Sequence, residues 1–254
     1  MAYAISHLFN LLVYSWRTVG PRAMVHNALR WASDAEARNV DSGFDARYGT
    51  DTNAHLTPGE AQIPAQRRRA ATMYLPTMDQ DLEAMLRALA WSDKLQQRSS
   101  FVDMGSGKGR VVCLAAMRRF HDVVGVELSP VLHAVANSNV QRVRAAGALQ
   151  SPTSLLLHDA ASYQVPERPL VLYMYHPFHG SIANMVMQRL RLSILAQPRE
   201  AAVLYCHPTL QPPLEARVFE AGGLLKQTAT GTRETRRFTL KWSVFTNRHW
   251  LEQN

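Results

Sequence analysis

Cysteine is scarce in this sequence, which has two, Cys113 and Cys206, among 254 residues. Both lie in apolar segments, and their spacing is not that of metal ligands. We therefore expect no metal site. Two isolated thiols of this kind are typical of a reduced, intracellular protein, and we expect a cytoplasmic location.

A long hydrophobic run is also missing, even from the apolar N-terminal residues 1–20. This segment has no positively charged start and no small-residue cleavage site, so we do not expect a signal peptide. Its run is interrupted by polar residues, which argues against a membrane-spanning helix. Apolar residues recur there at helical spacing and predict an amphipathic helix packed on the protein's own core. Attachment of this helix to a membrane surface is the alternative.

An interleaved basic and aromatic stripe, as found in RNA-binding proteins, is absent. The formal net charge is nevertheless +8, from 28 Lys and Arg against 20 Asp and Glu. The basic residues are spread along the chain, with small clusters at 67–69, 118–119 and 236–237. Nucleic acid therefore stays a minor alternative among partners, since the charge permits an anionic partner without requiring one.

No internal repeat or low-complexity tract interrupts the chain, and apolar runs alternate with helical patterns after residue 98. Strands are predicted over 100–104, 122–127, 153–158, 169–175 and 201–207. Helices are predicted over 109–119, 130–146, 181–196 and 212–220. Two final apolar runs, 223–230 and 236–246, have no helix between them and predict an antiparallel pair.

Strands that alternate with helices imply right-handed βαβ units and a parallel sheet covered on both faces. The predicted fold is therefore α/β, a Rossmann-like, doubly wound, mostly parallel sheet of about seven strands with a terminal antiparallel hairpin. Residues 1–97 are expected to form a helical N-terminal extension and lid segment, with helices over 1–40 and 78–97. Residues 98–254 are expected to form the ligand-binding sheet domain.

Three glycines, Gly105, Gly107 and Gly109, lie between the first predicted strand and the helix after it. Such a turn usually holds a ligand against the helix N-terminus. A nucleoside-triphosphate loop requires GxxxxGK followed by Ser or Thr, whereas Lys108 is followed by Gly109 and Arg110, which excludes that class. The dinucleotide fingerprint GxGxxG is one residue longer than the spacing found here.

Acidic residues occur where three predicted strands end. Asp103 would repel a pyrophosphate but suits a ligand that carries positive charge. Glu127 can accept hydrogen bonds from both hydroxyls of a ribose. Asp159 can accept one from an adenine amino group, although it can equally cap the following turn. S-adenosylmethionine is a cationic adenosine ligand without phosphates and fits all three positions.

The segment DMGSGKG, residues 103–109, resembles the first motif of the class I S-adenosylmethionine-dependent methyltransferases. Glu127 and Asp159 resemble the acidic residues of that family's second and third motifs. The resemblance covers about residues 98–246 and implies S-adenosylmethionine as cofactor and S-adenosylhomocysteine as product. The cofactor-binding residues that it implies are Asp103, Gly105, Ser106, Gly107, Gly109, Glu127, Leu128, Asp159 and Ala160.

The fourth predicted strand ends in Tyr175, His176, Pro177 and Phe178. Many amino-directed members of this family carry an Asn-Pro-Pro-aromatic element here, which receives the substrate amine, and His176 replaces that asparagine. A subgroup of lysine methyltransferases resembles the chain more closely, with its D-x-G-S-G-x-G motif and polar-Pro-Phe element. His176 is the first candidate to orient or deprotonate the acceptor, with Tyr175 facing it and His207 on the next strand. The alternative is a histidine satisfied by the backbone.

Two segments before the sheet, 44–52 and 73–77, are dense in aromatic and hydrogen-bonding residues. By analogy with related methyltransferases, we expect them to form a lid over the cofactor, because loops carry function disproportionately. Tyr48, Thr50, Tyr74 and Thr77 are the predicted cofactor-facing or acceptor-facing residues. Packing for stability alone is the alternative.

The sequence thus predicts a methyltransferase that acts on the nitrogen or oxygen of a small molecule, as in secondary metabolism. A protein lysine is the first alternative acceptor. RNA and a non-catalytic, cofactor-binding partner are lower alternatives, and a nicotinamide-dependent oxidoreductase is the last.

Overall fold

A computed structural model describes residues 43–208, 214, 216–220, 222–234, 239–247 and 249, together with Leu12, Val13 and Trp16. The helix predicted over residues 1–40 lies almost entirely outside this part of the chain. Within residues 43–99, four helices precede the sheet, α1 (Phe44–Tyr48), α2 (Ala65–Arg68), α3 (Asp79–Ala88) and α4 (Asp93–Arg98).

The sheet has seven strands in the order β3-β2-β1-β4-β5-β7-β6. Their bounds are β1 (Ser100–Met104), β2 (Asp122–Glu127), β3 (Thr153–Leu157), β4 (Leu170–Tyr175), β5 (Ala201–Pro208), β6 (Leu225–Glu234) and β7 (Thr239–Asn247). The first five strands pair in parallel, and β7 runs antiparallel to both β5 and β6. This confirms the predicted Rossmann-like sheet with its terminal hairpin. The order reverses between β1 and β4, and in such sheets a ligand binds at that point, beyond the carboxyl ends of the strands.

The remaining helices are α5 (Arg110–Ala116), α6 (Pro130–Ala145), α7 (Ser181–Ala196) and α8 (Ala216–Phe219). The start of α6 shows how local sequence sets a boundary: the Ser129 hydroxyl accepts a hydrogen bond from the Leu132 amide at 3.0 Å, and Pro130 occupies the first helical position. Within the described residues, no helix is both long and apolar enough to cross a bilayer.

Apolar cores cover both faces of the sheet, as expected when the strands are parallel. Successive side chains of a strand point to opposite faces, so Phe101 enters one core while Val102 and Met104 enter the other. The first core also holds α3 and α5, and the second holds α7. The sheet is therefore a rigid platform for the side chains at its carboxyl edge.

The single helix predicted over 78–97 is wrong, because the chain forms two helices there, α3 and α4. Ala90, between them, has a positive φ of 47°, which ends α3. The Ser92 hydroxyl then accepts a hydrogen bond from the Leu95 amide at 3.2 Å and caps α4. The N-cap at Ser92 therefore starts a second helix, although the helical pattern of the sequence continues through this region.

Candidate cofactor and acceptor site

A single cavity at the carboxyl ends of β1, β2 and β4 brings most of the predicted site residues together. The predicted residues in its wall are Tyr74, Thr77, Asp103, Gly105, Ser106, Gly107, Glu127, Leu128, Asp159, Ala160 and Tyr175. Three other predicted residues, Gly109, His176 and His207, are not part of the wall. The cavity is closed on its other side by the segment that precedes the sheet, from Ala61 to Thr77.

The glycine turn depends on glycine for both its backbone and its space. Gly105 and Gly107 have φ of 83° and 54°, where other residues are strained. A Cβ on Gly105 would lie 2.4 Å from the Pro177 Cβ, and one on Gly107 would lie 2.2 Å from the Tyr74 ring. Gly109 has another task, because a Cβ there would lie 3.1 Å from the Ala136 Cβ, where α5 packs against α6.

Glu127 ties the glycine turn to the end of β2. Its two carboxylate oxygens accept backbone hydrogen bonds from Gly107 at 2.8 Å and from Ser129 at 2.7 Å. Burial raises the pKa of Glu127, while the hydrogen bonds from these backbone N–H groups oppose that rise. Each oxygen retains a second lone pair that a ligand hydroxyl can use.

Asp103 is 3% exposed at the end of β1. Burial raises the pKa of its carboxyl well above the usual range, and the charge of Glu127 raises it further. Among the described residues, no lysine or arginine forms an ion pair with either carboxylate. A cation bound in this cavity would therefore stabilise the ionised form of Asp103.

Asp159 lies just beyond β3, and both of its oxygens are engaged. One accepts a hydrogen bond from the Ala161 amide at 2.9 Å, so the side chain does cap the turn at Ala160–Ser162. The other lies 2.8 Å from the Nε atom of Arg67, which belongs to α2. Asp159 thus caps the turn and also lines the cavity.

Two of the four predicted lid residues reach the cavity. The Tyr74 hydroxyl donates to the Thr52 carbonyl at 2.7 Å, and the Thr77 hydroxyl lies 2.7 Å from that of Tyr173. Tyr48 and Thr50 do not line the cavity. Tyr48 packs on Phe44 at a centroid distance of 5.1 Å, and the Thr50 hydroxyl donates to Asp45 at 2.6 Å.

Sequence reasoning missed the polar contacts that hold the segment before β1 to α6 and to the glycine turn. Asn139, fully buried on α6, accepts a hydrogen bond from the Asp51 amide at 2.9 Å and donates to the carbonyls of Asp51 and Lys108. The Lys108 ammonium also pairs with the Asp51 carboxylate at 2.7 Å. The one available signal was an asparagine on the buried face of α6, because a buried amide needs partners.

His176 lies behind the cavity wall in a cluster of rings. It is 1% exposed, its Nδ1 atom is 2.5 Å from the Tyr205 hydroxyl, and the His207 ring crosses it at a centroid distance of 5.1 Å. Burial lowers the pKa of His176 to about 3, helped by the neighbouring His207 and His179. Among the described residues, no group of three or more His, Cys, Asp or Glu side chains is arranged to hold a metal ion.

The backbone after His176 joins the segment before β1 to the cavity wall. The His176 carbonyl accepts a hydrogen bond from the Thr72 hydroxyl, and the Pro177 carbonyl accepts one from the Thr72 amide at 3.1 Å. Ala71 and Phe178 form an isolated antiparallel bridge beside them. Neither Thr72 nor Tyr205 was singled out from the sequence, because nothing local marks their partner His176, which lies 104 and 29 positions away from them in the chain.

No protein-family model matches the sequence, and no curated protein matches it. Solved structures do resemble it. Magnesium protoporphyrin IX methyltransferase from Synechocystis PCC 6803, with bound S-adenosylmethionine, is 14% identical with a TM-score of 0.50, over 86% of this chain and 96% of that one. A methyltransferase from Leishmania major is 10% identical with a TM-score of 0.49, over 66% and 71%. One from Geobacter sulfurreducens, in complex with S-adenosylhomocysteine, is 14% identical with a TM-score of 0.44, over 66% and 90%. The chain thus has a Rossmann-like fold, as its likeness to the Synechocystis methyltransferase structure shows.

Proposed function

We propose that this protein is an S-adenosylmethionine-dependent methyltransferase. The observation that carries the proposal is the pair of buried carboxylates, Asp103 and Glu127, at adjacent strand ends in the wall of one cavity. Burial of two neighbouring carboxylates disfavours their ionised forms, so the neutral form of Asp103 is favoured until a cationic ligand binds. A ligand with both positive charge and ribose hydroxyls would offset this effect of burial.

The remaining wall residues suit the same ligand. The glycine turn presents its backbone at the edge of the cavity, and Glu127 can accept from ribose hydroxyls at the end of β2. Asp159 offers an acceptor to the adenine amino group. When bound, S-adenosylmethionine supplies a methyl group activated by the positive sulfur. The chain itself has to hold the acceptor in line with that methyl group, which is a large part of the acceleration in such displacements.

The acceptor that we propose is a small molecule. The wall on the β4 side includes the apolar side chains of Pro177, Phe178 and Ile182, and the segment before β1 contributes Met73 and Leu75 to the same cavity. A concave, mostly apolar cavity is typical of small-molecule sites. Tyr175 is the predicted acceptor-facing residue in this wall, and burial raises the pKa of its phenol well above the usual range, so it stays protonated.

In this proposal His176 does not act as a base. It does not line the cavity, and a histidine with a pKa of about 3 is a weak base at neutral pH. We assign it the positioning of Pro177 and Phe178, through its contact with Tyr205 and its carbonyl bond to Thr72. The reaction then relies on alignment, with the acceptor's proton passing to solvent.

The test begins with calorimetric titration of the purified protein with S-adenosylhomocysteine, beside a nicotinamide dinucleotide. We expect binding of the former alone, and a loss of at least about tenfold in Glu127→Ala, which removes hydrogen bonds to a charged group. Glu220→Ala, at an exposed glutamate, should bind as the wild type does. Binding of the dinucleotide instead would overturn the proposal.

The acceptor is then sought by supplying labelled S-adenosylmethionine with three separate pools, small-molecule extract, protein and RNA. Label in a small molecule supports the proposed acceptor. Label in protein or RNA would replace it with that class, and cofactor binding without label in any pool would indicate a non-catalytic protein.

A further inference from the structure

The adenine end of the cavity contains an arginine that no motif marks. Arg67 belongs to α2, 92 residues before Asp159, and its Nε atom lies 2.8 Å from one oxygen of that carboxylate. Both side chains line the cavity. The contact joins the segment that precedes the sheet to the turn that follows β3.

This ion pair orients Asp159 more than it stabilises the fold. The two side chains are 35% and 26% exposed, and pairs open to solvent contribute little to folding. The geometry is nevertheless closely defined, because Arg67 holds one oxygen and the Ala161 amide holds the other at 2.9 Å. A carboxylate held at both oxygens cannot rotate freely, so its remaining lone pairs point in fixed directions.

Three apolar side chains of the cavity wall form a cluster, and two of them come from the same segment as Arg67. Ala61 and Ile63 pack with Leu132 of α6 in a small buried cluster, and all three line the cavity. The Ala61 carbonyl accepts a hydrogen bond from the Ser129 hydroxyl, which fixes this segment to the loop after β2. The result is an apolar slot with one oriented acceptor at its edge.

We propose that Arg67 is a positioning residue that sets the selectivity of this slot for adenine. The proposal rests on the proposed function. An adenine ring presents an amino donor to Asp159, whereas hypoxanthine presents a carbonyl acceptor at the same position. Two acceptors facing each other leave a buried polar group unpaired, and such mismatches discriminate more strongly than lost apolar contact. Release of Asp159 by loss of Arg67 lets the carboxylate turn away, and the penalty against hypoxanthine falls.

The experiment compares S-adenosylhomocysteine with S-inosylhomocysteine by calorimetric titration. Wild-type protein is expected to prefer the adenosyl ligand by at least about tenfold, the size of one hydrogen bond to a charged group. In Arg67→Ala, this preference should fall at least about threefold, because the acceptor loses its orientation. The matched control is Arg69→Ala, which removes the same charge from an exposed side chain two positions away and should keep the wild-type preference.

Equal preference in wild type, Arg67→Ala and Arg69→Ala would overturn the inference, and so would an equal loss of affinity for both ligands in Arg67→Ala. Thermal unfolding without ligand shows that each variant is folded, which is expected because neither arginine is buried. Failure of the proposed function is a separate result, because wild-type protein would then bind neither ligand.

Discussion

The two ends of the cavity differ in the pKa shifts of their titratable side chains and in whether those side chains line the cavity. At the β1–β2 end, burial raises the pKa of Asp103 and Glu127, yet both carboxylates remain in the cavity wall. At the β4–β5 end, burial lowers the pKa of His176, and its ring is packed behind the wall. The physical cause is the same, because burial disfavours the charged form of any group. The two ends differ in their access to a ligand. A ligand in the cavity can offset the cost of burying the two carboxylates, whereas the cost of burying His176 is offset only by protein groups.

Backbone conformation separates the same two regions. Gly105 and Gly107 adopt positive φ with no side-chain penalty. His176 adopts a φ of 41°, which costs a residue with a Cβ about 1 kcal/mol or more. That conformation persists because Thr72 and Tyr205 hold the residue from two sides. The backbone conformation of the glycine turn leaves space for a ligand, whereas the backbone conformation of His176 is held by neighbouring protein groups.

The largest expected effect comes from filling the space at the glycine turn. In Gly107→Ala, the new methyl group would lie 2.2 Å from the Tyr74 ring, at a φ of 54°. Both residues line the cavity, so relief of this overlap has to move the Tyr74 ring or the glycine turn at the place where the ligand binds, and we expect S-adenosylhomocysteine to bind at least about a thousandfold more weakly. Calorimetric titration measures this loss.

Gly147→Ala is the matched control for that substitution. Gly147 also has a positive φ, 69°, but a Cβ there would meet nothing within 4 Å. The backbone strain should lower the free energy of unfolding by about 1 kcal/mol and leave binding unchanged. Equal loss of binding in both variants would show that strain, not space beside Tyr74, makes Gly107 necessary.

A smaller effect, with a distinct pH signature, is expected at Asp103. Its pKa is raised in the unliganded protein, so the protonated form favours folding at low pH and this contribution is lost as the pH rises through the raised pKa. A bound cation favours the ionised form. Affinity for S-adenosylmethionine should therefore increase with pH over this range, and more than affinity for the uncharged thioether of S-adenosylhomocysteine.

In Asp103→Asn, S-adenosylmethionine should bind about a hundredfold more weakly, as expected for loss of a buried charged partner, and the pH dependence should become shallower. The control is Asp93→Asn, at an exposed aspartate of α4. Titrations between about pH 5 and pH 7 measure both slopes, below the range in which the ligand's own amine loses its proton. If the pH dependence of the affinity is unchanged in Asp103→Asn, the group that titrates on binding is not Asp103.

The sheet and the β1–β2 half of the site were predictable because their signals are local. Alternating apolar runs gave the strands, and the parallel topology followed from the helices between them. Asp103, the glycine turn and Glu127 are ordered by a strand end and a helix start, which a short stretch of sequence defines. Their assembly around one cavity then follows from the order of the strands.

The β4–β5 half and the lid were less predictable because their partners are distant in sequence. His176 follows a strand end as the functional residues do, but its direction depends on Tyr205 and Thr72, which only the tertiary structure brings near. Arg67 belongs to an exposed basic cluster in the sequence, and its partner Asp159 is identifiable only in the fold. A position at a strand end thus predicts that a residue lies near the site. It does not predict whether the side chain lines the cavity or packs behind the cavity wall.

The smallest expected effect tests whether His176 is compensated by the protein alone. Its pKa of about 3 lies below the ordinary value of 6.5, so its contribution to stability is present above about pH 6.5 and is lost as the pH falls toward 3. At pH 5 the linkage amounts to about 2 kcal/mol relative to pH 7.5. His176→Gln should remove that part of the acid sensitivity in urea unfolding curves measured at both pH values, while His121→Gln, at an exposed histidine, should retain it. S-adenosylhomocysteine should bind the folded His176→Gln protein as it binds wild type, because the ring does not reach the cavity. Loss of that binding with the acid sensitivity retained would place the ring in the cofactor site instead.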